Sequence, residues 1–258
     1  PLAPMPGAGT HSLLQFPRSF TAYYSDHFRF RKSLFRWNSF FHYFALRSSP
    51  LPDRVLLGKD GWMFLTKDKM VDYYRGIDLF SPAQLDTIAH RLDRRKAWLA
   101  ERGIDYYLIV PPLKASIYPE KLPSMIERIN ARSGIDQVKE HLAAHCSVQL
   151  IDIREALLNA KDSLDLYYTT DIHWNRDGAL IAYQALMNEM IKRHPELGTP
   201  CRREDFIIRN DTNDLGDLAM QLALNDVLTR VSHDMTPRAP YRAVELPERI
   251  LPGAPIFR

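Results

Sequence analysis

Ile104-Asp105-Tyr106-Tyr107-Leu108-Ile109-Val110-Pro111-Pro112 is an apolar run that ends on two prolines, and its neighbours on either side decide the fold class. A short apolar run bounded by breakers reads as a buried strand. Upstream, Ser81-Pro82 opens a helix, with serine as N-cap and proline at the first helical position. Leu85, Ile88, Leu92 and Leu99 recur at helical spacing, Arg94-Arg95-Lys96 reads as the solvated face, and Gly103 stops the helix. Downstream, the pattern predicts a helix over roughly 135–145, a second strand over 148–153, and a helix from about 179 to 191. Alternating helix and strand is the grammar of an α/β domain with a mainly parallel sheet.

Further out, residues 55–65 hold two short apolar strands around a polar turn containing Asp60-Gly61, a hairpin signal. Residues 20–44 carry Tyr23, Phe28, Phe30, Leu34, Phe35, Phe41 and Phe44 at spacings of three and four, interrupted by Arg29, Arg31, Lys32 and Arg36. This predicts one amphipathic helix with a wide apolar face. Such a basic aromatic helix can rest on a membrane surface, but the expectation is that it docks onto the protein's own core. The first ten residues read as a loose tail, so 1–53 is expected to be tail plus helix and 54–258 the main domain. Prolines beyond 195 predict irregular or inserted segments over 195–258, with a helix over about 217–224.

Composition excludes several classes. With 45% hydrophobic and 25% charged residues the chain is neither disordered nor fibrous. A net charge of +3 lacks the concentrated basic stripe of a nucleic-acid binder, so no nucleic acid partner is expected. Cys146 and Cys201 are too few for a disulfide framework or a four-thiolate site, and both a single bridge and two buried thiols remain open. His141, His145 and Cys146 have a metal-like spacing without a further ligand at zinc-site distance, so no metal and no cofactor is expected. No stretch is long and apolar enough to span a bilayer, and the chain begins with proline, which leaves room for a signal or anchor ahead of it.

Chemistry concentrates in Tyr168-Thr169-Thr170-Asp171-Ile172-His173-Trp174-Asn175, just before a helix. In a non-helical turn, Asp171 can place its carboxylate on Nδ1 of His173, which fixes the tautomer and frees Nε2 as a general base. Asn175 is placed to cap the following helix and stiffen the turn. Lys114 and Tyr118 follow a strand end, where α/β sheets bind ligands, and Trp174 is suited to stacking on a sugar. The plain alternatives are a surface charge at Lys114 and packing at Tyr118 and Trp174. Gly216-Asp217 reads as a turn with Asp217 as helix N-cap.

The motif resembles the Asp-Thr-His-Trp-Asn signature of the SGNH-hydrolase-like polysaccharide O-acetyltransferases, the alginate O-acetyltransferase family of the AlgJ and AlgX type. The resemblance extends to the hairpin at 55–65, to Val110-Pro111-Pro112-Leu113-Lys114-Ala115-Ser116-Ile117-Tyr118-Pro119, and to the aromatic run at 20–31, in the family's order. It implies a three-layer α/β/α SGNH-like domain in which Asp171 orients His173 and His173 activates a serine for acyl-enzyme chemistry. It further implies a polysaccharide acceptor, an acetyl donor supplied by a membrane partner, and a place in the periplasm or on the periplasmic face of the inner membrane. Membrane association would run through an N-terminal segment absent from this sequence. The family's serine lies C-terminal of the motif in a Gly-Asp-Ser turn, and no such turn occurs here. Ser232, the one serine after His173, adjoins His233 and Asp234, and sequence neighbours rarely converge on one reacting atom. The expectation is therefore a domain truncated at its C-terminal end, with residues 250–258 leading towards the serine strand, and inert as it stands. The alternative is a non-catalytic polysaccharide-binding or scaffold protein of an export complex.

Overall fold

The computed structural model describes residues 15–214 and 216–239, together with Met5 and the strand residues 245–246 and 256–257. The hairpin forms as the Asp-Gly turn predicts. β1 (Val55–Leu57) pairs antiparallel with β2 (Met63–Leu65), and the turn between them puts Asp60 and Gly61 at φ of 55° and 78°. Period-two alternation then sends its side chains two ways. Leu56 and Phe64 join the main core with Tyr118, Leu157, Leu166 and Tyr167, whereas Val55 and Met63 pack against Leu218, Leu222 and Leu224. Both faces of the hairpin are buried.

α3 (Met70–Arg75) leads to α4 (Pro82–Ala100), where Ser81 and Gln84 close a capping box around Pro82. β3 (Leu108–Ile109) is followed by the short α5 (Lys114–Ile117), then by α6 (Gly134–His145), capped by Ser133 with Asp136. β4 (Leu150–Ile151) lies parallel to β3, with Leu108 opposite Leu150 and Ile109 opposite Ile151. Leu108 and Leu150 face Leu85 and Ala89 of α4 and Val138 and Leu142 of α6. Ile109 and Ile151 face the main core, to which α7 (Arg154–Ala160) gives Leu157 and α8 (Arg176–Ile191) gives Ala182. Helices therefore cover both sides of the parallel pair, the three-layer order that parallel strands require.

Three expectations need correction. The parallel sheet is one two-residue pair among the described residues, because the two predicted runs enter the ladder only at their centres. Residues 195–258 are not irregular throughout. β5 (Phe206–Asp214) and β6 (Arg230–Pro237) form an antiparallel ribbon, with α9 (Asp217–Gln221) lying between them in sequence. The partner strands are separated by that helix, so no local turn signal announces the pairing. Residues 20–44 form two helices, α1 (Phe16–His27) and α2 (Arg31–Phe40), the latter continuing as a π-helical turn over Phe41–Leu46. Most of their aromatic side chains are exposed, and the stretch meets the core on one side only, through the buried Ser39 and through Tyr43, which packs against the cluster of Val55, Met63 and Leu218. A two-residue antiparallel pair, β7 (Glu245–Leu246) with β8 (Ile256–Phe257), completes the described elements, and most of 250–258 lies outside the described residues.

α8 starts where it does because Asn175 accepts from the Gly178 N–H at 2.9 Å and its own N–H donates to Leu166 O at 2.9 Å. Gly178 sits so close to the preceding strand-like segment that a Cβ there would meet Leu166 O at 2.2 Å. Gly178→Ala should therefore cost about 3 kcal/mol or more, a backbone clash rather than a propensity effect. Urea unfolding checks this, and a gain in stability, as helix propensity alone predicts, would contradict the packing.

Candidate active site

The segment before α8 is closed on itself. Tyr167 bridges Trp174, and the Tyr168 N–H donates to His173 O at 3.2 Å. Inside this closed turn the Asp171 Oδ1 accepts from the His173 backbone N–H at 2.9 Å and stands 2.7 Å from the His173 Nδ1. A carboxylate only accepts, so the ring proton belongs on Nδ1 and Nε2 carries the lone pair. The two side chains differ in exposure, 9% for Asp171 against 68% for His173. The carboxylate is inside and the ring faces out.

The other oxygen of Asp171 is held from a different part of the chain. Oδ2 accepts from the Asp217 N–H at 3.1 Å and pairs with the Arg230 Nη1 at 3.1 Å. Arg230, buried at the start of β6, lays its guanidinium 3.6 Å from the centroid of the Tyr168 ring. α9 fastens its first turn to the same loop. The Leu218 and Ala219 N–H groups donate to Thr170 O at 3.1 and 3.2 Å, and Asp217 Oδ1 accepts from the Ile172 N–H at 3.1 Å. Gly216 allows this approach, since a Cβ there would lie 2.2 Å from Thr170 O. Asp217 is thus not the N-cap of α9. Gly216 occupies that position, and the Asp217 carboxyl serves the neighbouring loop.

Burial by itself raises the Asp171 carboxyl, but the N–H groups of His173 and Asp217, the imidazole and Arg230 outweigh it and hold the group below the usual carboxylate range. Asp217 moves the opposite way, raised by burial and then by the charge of Asp171. Asp171, His173 and Asp217 come close enough together to resemble a cation site. The donor set argues otherwise. Each Asp171 oxygen already accepts from protein N–H groups, and a guanidinium stands where a divalent cation would be repelled.

Lys114 departs from the expected surface charge. It is 6% exposed, because Pro111-Pro112 turns the chain inward after β3 and α5 begins inside the core. Its Nζ reaches the carbonyl oxygens of Met63, Tyr168, Thr169 and Asp171 at 2.7, 2.7, 2.9 and 3.0 Å. Burial pushes the ammonium down to about 7, against the opposing pull of Asp171 and Asp217. Lys114 therefore ties the hairpin to the Asp171 loop from beneath. Tyr118 is buried as well, its hydroxyl accepting from the Leu166 N–H at 2.9 Å, and Asn175 spends its side chain on the α8 cap and on Asp165 O. Tyr118 and Asn175 thus commit their polar groups to the fold, whereas Lys114 also lines an open cavity of about 290 Å³ beside His173. Trp174 lines that cavity too, with one side packed against the main core, and the other walls include Phe64, Tyr167, Ile172 and Pro112.

No serine, threonine or cysteine among the described residues lines that cavity. Ser232 is buried in β6 opposite Asp211, while its neighbour His233 turns to Asp177 at 2.7 Å. Cys146 and Cys201 are unbridged, the first half-buried and the second exposed. His141 pairs with Asp86 at 3.1 Å and packs against the His145 ring. Arg230 and the contribution of Asp217 are invisible in any local pattern. Gly216-Asp217 reads in the sequence as a turn and a cap, with nothing to say that the turn meets the Asp171 loop.

Residues 55–249 match the family described as SGNH hydrolase-like domain, acetyltransferase AlgX. The chain is 28% identical over 178 residues to the probable alginate O-acetylase AlgJ of Pseudomonas aeruginosa, a match covering 66% of this chain and 41% of that protein. It is 24% identical over 194 residues to the namesake of Pseudomonas fluorescens, covering 72% and 45%. The chain thus spans less than half the length of these curated relatives. Among solved structures, the O-acetyltransferase domain of Pseudomonas putida AlgJ aligns with 23% identity and a TM-score of 0.48, over 72% of this chain and 66% of that one. Bacillus cereus PatB1 aligns with 20% identity and a TM-score of 0.46, over 71% and 58%. No helix among the described residues is long and apolar enough to cross a membrane.

Two substitutions test how the loop is held. Lys114→Met should cost about 3 kcal/mol in urea unfolding, since it strips the buried donor from four carbonyls. A change near zero would mean that the carbonyls find other partners. Arg230→Met should raise the Asp171 carboxyl. A depressed carboxyl stabilises the fold above its unfolded value and loses that contribution as pH falls through the folded one. In the variant this loss should begin at higher pH, read from denaturation midpoints taken between about pH 3 and 7. Superimposable profiles would remove Arg230 from the electrostatics of the site.

Proposed function

The chain belongs to the SGNH hydrolase-like acetyltransferases of the AlgX type, and from that premise we propose that it O-acetylates an exported bacterial polysaccharide through a Ser-His-Asp acyl-enzyme, with Asp171 and His173 as its acid–base pair. The observation that carries this reading is the 2.7 Å contact between a buried carboxylate and the Nδ1 of an open imidazole. Asp171 holds the tautomer and stabilises the imidazolium that forms. His173 Nε2 takes the proton of a serine hydroxyl as its oxygen attacks the acetyl carbonyl. The donor's leaving group departs with that proton, and acetyl-serine remains. A sugar hydroxyl then attacks the ester while Nε2 receives its proton, and the serine is restored as the acetyl moves to the sugar. Water in place of the sugar turns the same steps into an esterase.

In this reading the serine comes from polypeptide outside the described residues, and residues 54–258 supply the acid–base half of an SGNH-like domain that the serine completes. The relatives' description as alginate O-acetylases supports a polysaccharide acceptor; a membrane partner as acetyl source and a periplasmic setting belong to the same reading and rest on the family resemblance alone. A second reading, a polysaccharide-binding or scaffold protein, draws on one observation, that no serine, threonine or cysteine among the described residues lines the cavity beside His173.

Release of acetate from an aryl acetate by the complete gene product decides between them. The enzyme reading expects turnover that His173→Ala reduces to background and Asp171→Ala lowers by about 10⁴-fold, with the 258-residue chain alone inactive. A folded His173→Ala protein with full activity ends the assignment. A complete gene product that binds polysaccharide and never releases acetate supports the scaffold.

A further inference from the structure

The N-terminal helices carry an apolar surface that the acetyl-transfer reading leaves unused. Along α1, Phe16, Phe20 and Tyr24 repeat every four residues, stack at 5.6 and 6.2 Å, and stay exposed. Along α2 and its π-helical turn, Phe30, Leu34, Trp37 and Phe41 continue at spacings of four and three, and Trp37 is 69% exposed. The opposite side of α2 is fixed to the body. Ser39 is fully buried there, and the Arg36 guanidinium forks onto Asp226 with two contacts of 2.6 Å. α2 therefore cannot roll its rings inward without breaking that attachment.

The surroundings of the stripe indicate its partner. Arg18, Arg29, Arg31 and Lys32 are all exposed, and the sequence from 15 to 35 contains a single acidic residue, Asp26. Rings of Trp, Tyr and Phe bordered by cations match the layering of a bilayer surface, where aromatics sit at the headgroup level and guanidinium and ammonium groups meet lipid phosphates. We propose that α1 and α2 form a membrane-docking face that lays the protein on the surface of an anionic lipid bilayer.

Flotation of the 258-residue chain with vesicles tests this. It should float with vesicles of phosphatidylcholine and phosphatidylglycerol and much less with phosphatidylcholine alone, and salt should weaken the binding. Contact should shift tryptophan emission to the blue, and Trp37→Phe should remove that component. Arg31→Glu with Lys32→Glu should weaken binding about ten-fold or more, and Trp37→Glu with Phe41→Glu should abolish it. These side chains are exposed, so an unchanged circular dichroism spectrum is expected for each variant. The proposal is overturned if the chain ignores anionic vesicles or if the Trp37→Glu, Phe41→Glu protein floats like the parent. It is equally overturned if the stripe only joins two copies, seen as a dimer that the same double variant splits while lipid binding is absent.

Discussion

A carboxylate withdrawn from water has to recover its hydration from the protein, and around Asp171 that demand organises the molecule. Three N–H donors and one cation among the described residues converge on two oxygens: the backbone and ring nitrogens of His173 and the N–H of Asp217, with the guanidinium of Arg230 as ion-pair partner. They arise from the closed turn before α8, from the first turn of α9 and from the start of β6. Removing any one leaves part of a buried charge uncompensated, which costs far more than an exposed pair contributes. The imidazole is then oriented as a by-product of solvating its partner.

The same requirement explains the buried lysine. The Asp171 loop turns three carbonyl oxygens inward beside that of Met63 at the start of β2, and backbone acceptors away from water need donors. An ammonium on a long stem fills that vacancy from below, near two carboxylates that favour its charge. Lys114 and Arg230 thus hold Asp171 at different atoms, the first at its backbone carbonyl and the second at its carboxylate. One cation secures the backbone of the loop and the other its carboxylate, so His173 stands on a rigid support while its ring remains open to the cavity.

Rigidity around the loop contrasts with the aromatic helices. Phe64, Tyr118 and Tyr167 are buried by neighbours on every side, whereas Trp37 and Phe30 have the same chemistry and no such cover. Apolar character alone does not place a ring inside. The side of α2 and its π-helical turn that meets the body is the one that carries the buried Ser39, the packed Tyr43 and the Arg36–Asp226 fork.

What the chain determines locally was legible from it. The Ser81 cap, the Asp60-Gly61 turn, the Asn175 cap and the Asp171–His173 contact each involve residues a few positions apart, where backbone stereochemistry leaves few arrangements. The alternating helices and strands likewise indicated helical layers on both sides of a parallel pair. Only the tertiary structure decided that Lys114 is a buried clamp, that Arg230 and Asp217 complete the carboxylate's shell, that residues 206–214 pair with 230–237 as a ribbon, and that α1 and α2 keep most of their rings outside. Periodicity shows that a face is apolar but not what covers it. A buried charge likewise finds its partners wherever the fold brings donors together, and no spacing in the sequence records that meeting.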